Sequence, residues 1–201
     1  MSSDIQSTFI EAATADTDGI STAAAVGDGA NLVLGGALAS GGAVTFDQPR
    51  NITILSAGDD SGISFTVTGT DETGTSATES ITGANAGTAT GTAYFATITQ
   101  IAAVGDPAGN VSAGSGTSIA APMFRGRMRL RGIYAVNTGT AGTTTFRQTS
   151  SSGAVAMQFN TVASANTTQY PDIPDDGILF AAGGYVLYTQ TTLSSITVFY
   201  S

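Results

Sequence analysis

The chain has 201 residues and a formal net charge of −9, although only 10% of its residues are charged. It lacks His, Cys, Lys and Trp altogether. This excludes disulfides and removes the usual general base near neutral pH, together with the commonest nucleophiles after Ser. We therefore expect a structural or binding protein that is not an enzyme and has no cofactor.

Charge is unevenly distributed along the chain. Residues 1–120 hold twelve acids and one arginine, a net charge of −11, whereas residues 121–201 hold five arginines and three aspartates, a net charge of +2. This division favours two modules with different surroundings. The first ten residues lack the basic start and apolar run of a secretory signal, and no apolar stretch reaches the roughly 20 residues of a membrane span. We expect neither a cleaved leader nor a membrane partner.

The first part of the chain, after an N-terminal arm over residues 1–30, has the pattern of short strands separated by turns. Ile63, Phe65 and Val67 alternate with Ser and Thr, which is typical of a half-buried strand. The polar run that follows, residues 70–74, predicts a hairpin turn. The strands expected before residue 115 cover 31–34, 43–46, 50–55, 63–68, 76–82, 92–104 and 110–113.

Residues 113–121 are nearly all Gly, Ser, Thr and Ala, which predicts a linker at 115–122. No apolar stripe at helical spacing persists over three turns anywhere in the chain. The fold is therefore predicted to be all-β: two antiparallel β-sandwich or jelly-roll-like modules, at 31–114 and 123–201, with an extended N-terminal segment. The strands expected in the second module cover 123–136, 143–148, 154–159, 178–181, 185–189 and 196–200.

The first module contains several distinctive stretches of sequence. It includes Ala57-Gly-Asp-Asp-Ser-Gly62 within 50–71, Gly91-Thr-Ala-Tyr-Phe95 within 79–99, and Gly109-Asn-Val-Ser-Ala-Gly114. With 16–20 and 31–42, these stretches resemble a module recurrent in tailed-bacteriophage genomes, in small proteins associated with virion-assembly genes. The resemblance covers about half of the chain and implies a virion structural protein without catalytic residues. Residues 122–201 more loosely resemble the sandwich domains of phage decoration and fibre proteins.

The most unusual local sequence is Phe124-Arg-Gly-Arg-Met-Arg-Leu-Arg131. In one continuous strand, Arg125, Arg127, Arg129 and Arg131 would share a face at a spacing of about 7 Å, and would repel one another unless anions lay opposite. We therefore consider these four arginines a partner-binding strip for an acidic surface, either of another subunit or of the chain's own first module. A solvated or internally paired strand face is equally consistent with the pattern. Nucleic acid is not expected as a partner because the chain is acidic overall.

Other patterns predict no catalytic or metal chemistry. The Asp-Gly runs at 16–19 and 59–62 resemble parts of calcium loops, but a loop starting at the first run would need a bidentate Glu where the chain has Gly27. Turns explain both runs, and the run at 172–177 as well, so no metal is predicted. A carboxylate-pair glycosidase would need aromatic side chains on which sugars stack, and the chain has no Trp. A phosphate-binding loop of the Walker type would need a Lys, which is also absent. Neither activity is therefore predicted.

These observations predict a capsid decoration (cement) protein of a tailed-phage virion, assembled in the host cytoplasm. Its expected partners are further copies of itself, as a homo-oligomer and specifically a trimer, and the major capsid protein or other virion proteins. Two alternatives stay open. One is a neck or tail component such as a fibre base or adaptor, and the other is a carbohydrate-binding or adhesive surface module.

Overall fold

The computed structural model describes residues 4–163 and 167–201, and within them the regular structure is all-β with antiparallel sheets, so the predicted fold class is confirmed. No helix in this part of the chain is long and apolar enough to cross a membrane. The strands are β1 (Gln6–Ile10), β2 (Asp16–Ala25), β3 (Ala39–Ser40), β4 (Ala43–Ser56), β5 (Ser64–Asp71), β6 (Ser76–Thr82), β7 (Thr88–Thr90), β8 (Phe95–Val104), β9 (Asn110–Phe124), β10 (Met128–Asn137), β11 (Gly142–Gln148), β12 (Val155–Thr161), β13 (Thr168–Gln169), β14 (Ile178–Phe180), β15 (Gly184–Thr189) and β16 (Leu193–Tyr200).

The chain forms two compact units. The N-terminal unit is Thr14–Thr117, and the C-terminal unit combines the residues up to Ala13 with Ser118–Ser201. The boundary lies inside β9, so the prediction of a linker at 115–122 is wrong: these residues continue a strand, and most of them are buried. The predicted division of the chain also changes at its start, because the expected arm at 1–30 supplies strands to both units.

In the N-terminal unit, β9, β4, β8, β5 and β6 follow one another across a sheet, with β2 paired to β9 and β3 and β7 paired to β4. The sequence predicted two strands at 43–46 and 50–55, but β4 is continuous through Pro49. Its pairing with β8 is irregular between Thr45 and Arg50, and such an irregularity accommodates a residue that cannot donate to the ladder. The buried core of this unit includes Ile52, Ile54, Phe65, Val67, Phe95, Ile98 and Ile101.

Close backbone contact explains why the middle of β9 consists of small residues. A Cβ on Gly114 would lie 2.0 Å from the carbonyl oxygen of Asp16 in β2, and one on Gly116 would lie 2.3 Å from Asn51 Oδ1. Asp16 therefore belongs to a strand packed on β9, and the prediction of a turn at 16–19 is wrong. Small residues in this stretch serve packing and not chain flexibility.

The C-terminal unit is a sandwich of two sheets. In one sheet the order is β1, β16, β10, with β13 and β14 both paired to the far side of β10, and in the other it is β12, β11, β15, β9. Alternate residues of the strands point inward, as Ile196 and Val198 do in β16. Both sheets contribute to the core, whose buried residues include Ile10, Ile119, Met123, Leu130, Ile133, Phe146, Phe180, Val186, Ile196 and Val198.

Candidate interaction surface of the C-terminal unit

The four arginines of the predicted strip do not lie in one strand. β9 ends at Phe124 and β10 begins at Met128, so Arg125 and Arg127 belong to a bend between two strands. A Cβ on Gly126 would lie 2.9 Å from Phe124 Cε1, which shows how closely the bend folds over that ring. The prediction of a continuous strand at 124–131 is wrong, because residues 125–127 form a bend that separates β9 from β10.

Arg129 and Arg131 are half-buried in β10 and bind groups of their own unit. Arg129 Nη1 donates to the carbonyl oxygen of Asp176 at 2.9 Å, and Arg131 Nη1 donates to that of Asp175 at 2.8 Å. Arg131 Nε also donates to the hydroxyl of Ser201 at 2.9 Å. These two arginines therefore hold the loop before β14, and the internally paired interpretation describes them better than the partner-binding one.

Arg125 and Arg127 are exposed, and they follow Phe124, whose ring packs against Tyr200. The ring of Phe124 lies 5.2 Å from that of Tyr200, centroid to centroid, at an angle of 34°. Phe124 is itself partly exposed at the end of β9, whereas Tyr200 is buried. The structure thus divides the predicted strip into two exposed arginines in the bend and two half-buried arginines in β10.

An apolar surface lies on the outer side of the sheet formed by β1, β16 and β10. Since Ile196 and Val198 take inward positions, Phe199 points outward and is 37% exposed. Phe9 in β1 is 61% exposed. Cross-strand pairing arranges this surface, here called the outer face, in two rows: Ser7, Phe199 and Gly132, then Phe9, Thr197 and Tyr134.

The outer face differs from the predicted strip in chemistry and was not anticipated from the sequence. The alternation of β16 could have indicated it, because a strand with Phe199 between inward-pointing Val198 and Tyr200 exposes an aromatic ring. The C-terminal unit balances five arginines with five acids, and the N-terminal unit carries the whole net charge of −9. An uncharged, partly aromatic face on a neutral unit is inexpensive to desolvate, which suits contact with another protein surface.

The Asp-rich runs form local hydrogen bonds. Asp59 Oδ1 accepts bonds from the hydroxyl of Ser61 at 2.7 Å and from its backbone N–H at 3.2 Å, and these lower the pKa of Asp59. Burial raises the pKa of Asp71, but bonds from the hydroxyl and N–H of Thr73 and from the N–H of Thr75 outweigh it, so the pKa is lowered. Within residues 4–163 and 167–201, no group of three or more acidic side chains could hold a metal ion.

One arginine that the sequence did not single out is buried in the N-terminal unit. Arg50 is 1% exposed, and its Nη2 lies 2.5 Å from Asp47 Oδ1. Its guanidinium carbon also lies 5.5 Å from the centre of the Phe46 ring. Arg50 therefore stabilises this part of β4 and is not available to a partner.

Comparisons of the chain with protein-family models, with curated proteins and with solved structures found no match.

Proposed function

We propose that this chain is a non-enzymatic structural protein of a tailed-phage virion, and that it decorates the capsid shell as a homo-oligomer, specifically a trimer. The resemblance of residues 50–114 to a phage module supports the virion assignment. The single observation that carries the binding role is the outer face, where Phe9 and Phe199 are exposed on adjacent strands. Exposed apolar surface that is contiguous marks protein contacts more often than single exposed residues do.

The proposed contact combines the outer face with the exposed arginines of the bend that precedes β10. The two phenylalanines supply the apolar area, at about 25 cal/mol per Å² removed from water. Arg125 and Arg127 then act at the rim, where charges set orientation and association rate more than affinity. The major capsid protein or another virion protein is the proposed partner, and the acidic N-terminal unit makes nucleic acid an unsuitable one.

Copy number in purified particles tests the proposed location. Particles of the phage or prophage whose genome encodes the chain would be quantified by mass spectrometry against a known tail protein. Hundreds of copies would support the shell. Tens of copies would contradict decoration and favour a neck or tail component, and absence from particles would overturn the virion assignment.

Matched variants test the proposed surface. Particles lacking the protein would be incubated with the wild-type chain, with the double variant Phe9→Ser, Phe199→Ser, and with Val33→Ser as control. Val33 is an exposed apolar residue of the N-terminal unit. We expect the double variant to bind at least tenfold more weakly and the control to bind normally. Equal binding of all three would remove the outer face from the contact.

A further inference from the structure

A shallow groove of about 290 Å³ lies in the C-terminal unit, where its lining residue Tyr170 contacts Tyr134 of the outer face. Its lining comes from β12 and from β13 with the residues that follow, and these are outer strands of the two different sheets. The groove therefore lies at an open edge of the sandwich. Its lining residues are Phe159, Asn160, Gln169, Tyr170 and Pro171, none of which carries a charge.

Tyr170 exposes an aromatic ring to solvent, and the ring of Tyr134 packs against it. It is 69% exposed, yet its ring centroid lies 5.2 Å from that of Tyr134, at an angle of 50°. The following Pro171 restricts the backbone of Tyr170 to extended conformations. Because the ring is supported and its backbone is constrained, a ligand that stacks on it would lose little affinity to ordering it.

Two amide side chains supply directional groups beside this ring. Gln169 Nε2 donates to the backbone carbonyl of Asn160 at 3.2 Å, whereas Gln169 Oε1 is buried and accepts no hydrogen bond from any residue that the structure describes. Asn160 Oδ1 accepts a bond from the hydroxyl of Thr143 at 2.9 Å. Each amide nitrogen carries two N–H groups, so Gln169 Nε2 and Asn160 Nδ2 can donate to ligand hydroxyls.

We propose that this groove binds a neutral sugar ring of a glycan. An aromatic face attracts the C–H groups on one side of a pyranose through its negative quadrupole, and hydroxyls at the ring edge can accept bonds from the amide donors. Among the lining residues that the structure describes there is no cation, which disfavours phosphorylated or acidic sugars. These residues include no carboxylate either, so we propose binding without cleavage. This inference is independent of the proposed place in a virion.

A glycan array probed with the full chain tests the inference. It would display neutral oligosaccharides of glucose, galactose, rhamnose and N-acetylated hexosamines, with sialylated and uronic-acid glycans as an anionic set. The strongest neutral ligand would then be titrated by saturation-transfer NMR, both as a free oligosaccharide and within a polysaccharide. Saturable binding to a neutral ligand in either form is expected, and binding to anionic glycans alone, or to none, would overturn the inference.

Three variants locate the binding. Tyr170→Ala should weaken it at least tenfold, while Tyr170→Phe, which keeps the stacking face, should stay within about twofold of the wild type. Val33→Ala shortens an exposed apolar side chain of the N-terminal unit and should have no effect. Thermal melts would verify folding, which the high exposure of Tyr170 should leave intact. Unchanged binding by folded Tyr170→Ala would show that the groove is not the site.

Discussion

Arg131 donates a hydrogen bond of 2.8 Å from Nη1 to the backbone carbonyl of Asp175. Every residue has a backbone carbonyl, so this contact requires the arginine but does not require the carboxylate of Asp175. The same guanidinium reaches Ser201 through Nε. One side chain thus connects β10 to two segments that are distant from it in sequence.

Arg131→Ala should lower the free energy of unfolding by about 1–2 kcal/mol, because the variant loses hydrogen bonds made by a charged donor. Urea denaturation would measure this, and limited proteolysis should cut faster at 171–177. Arg127→Ala is the matched control, since Arg127 is exposed in the bend and its loss should change stability by no more than about 0.5 kcal/mol. Equal stability of the two variants would show that the loop does not depend on Arg131.

Gly114→Ala should destabilise the N-terminal unit by about 3 kcal/mol or more. The new methyl would lie 2.0 Å from the carbonyl oxygen of Asp16, so one backbone must move away from the other. Gly27→Ala is the control, because a Cβ there meets nothing within 4 Å. Differential scanning calorimetry would compare the two, and a normal melting temperature for Gly114→Ala would refute the close approach of β2 to β9.

Asp47→Asn should destabilise the same unit by about 1–3 kcal/mol, because it removes the carboxylate that pairs with buried Arg50. The loss is moderated because the Asp47 side chain is 40% exposed and solvent screens the pair. Asp106→Asn removes the same charge from an exposed position and serves as control. Chemical denaturation that gives equal midpoints for both variants would mean that Arg50 does not rely on this partner.

Stability should be nearly constant from pH 6 to pH 8, because the chain has no His and no Cys to titrate there. Asp59 and Asp71 have folded-state pKa values below the usual range. Their stabilisation is therefore complete above the unfolded pKa of about 3.9 and is lost as the pH falls through the lower folded values. Melting temperatures measured from pH 2 to pH 8 should decline only at the acid end.

The contribution of Asp71 to that decline can be isolated. Asp71→Asn keeps an oxygen that can accept the bonds from Thr73 and Thr75 but removes the titrating charge, so the acid slope should become shallower. Thr22→Asn alters an exposed residue of β2 that has no charge and should leave the slope unchanged. A slope as steep in Asp71→Asn as in the wild type would assign acid sensitivity to other carboxylates.

Regular alternation was the part of the structure that sequence predicted best. The strand expected at 76–82 is β6 itself, and the pattern around Phe65 and Val67 corresponds to β5. The expected hairpin between them is closed by the bond from Asp71 N–H to the carbonyl of Thr75. These elements could be predicted because the turn residues and the buried residues are all local in sequence.

The mistaken predictions share a physical cause, which is that small residues have two uses. The glycines of β9 resemble a linker by composition, and only the position of Asp16 shows that they permit close packing. Gly126, by contrast, lies in the bend that interrupts an alternation that otherwise predicts a strand through Arg125 and Arg127. The outer face depends on the pairing of β1 with β16, which brings Phe9 and Phe199 onto adjacent strands, and local patterns do not reveal such long-range pairing.

The C-terminal unit combines β1 with strands that lie more than 100 residues later in the sequence, and this affects its folding during synthesis on the ribosome. Thr8 of β1 donates a bond to the hydroxyl of Tyr200 in the last strand, and the two residues are 192 positions apart. β1 is therefore translated before the N-terminal unit, whereas β16, the strand with which it pairs, is translated after it. Pairing of such distant segments is slow because a long loop must close first. The N-terminal unit can thus fold during translation, and the unit that carries the outer face completes its sandwich only after β16 has been made.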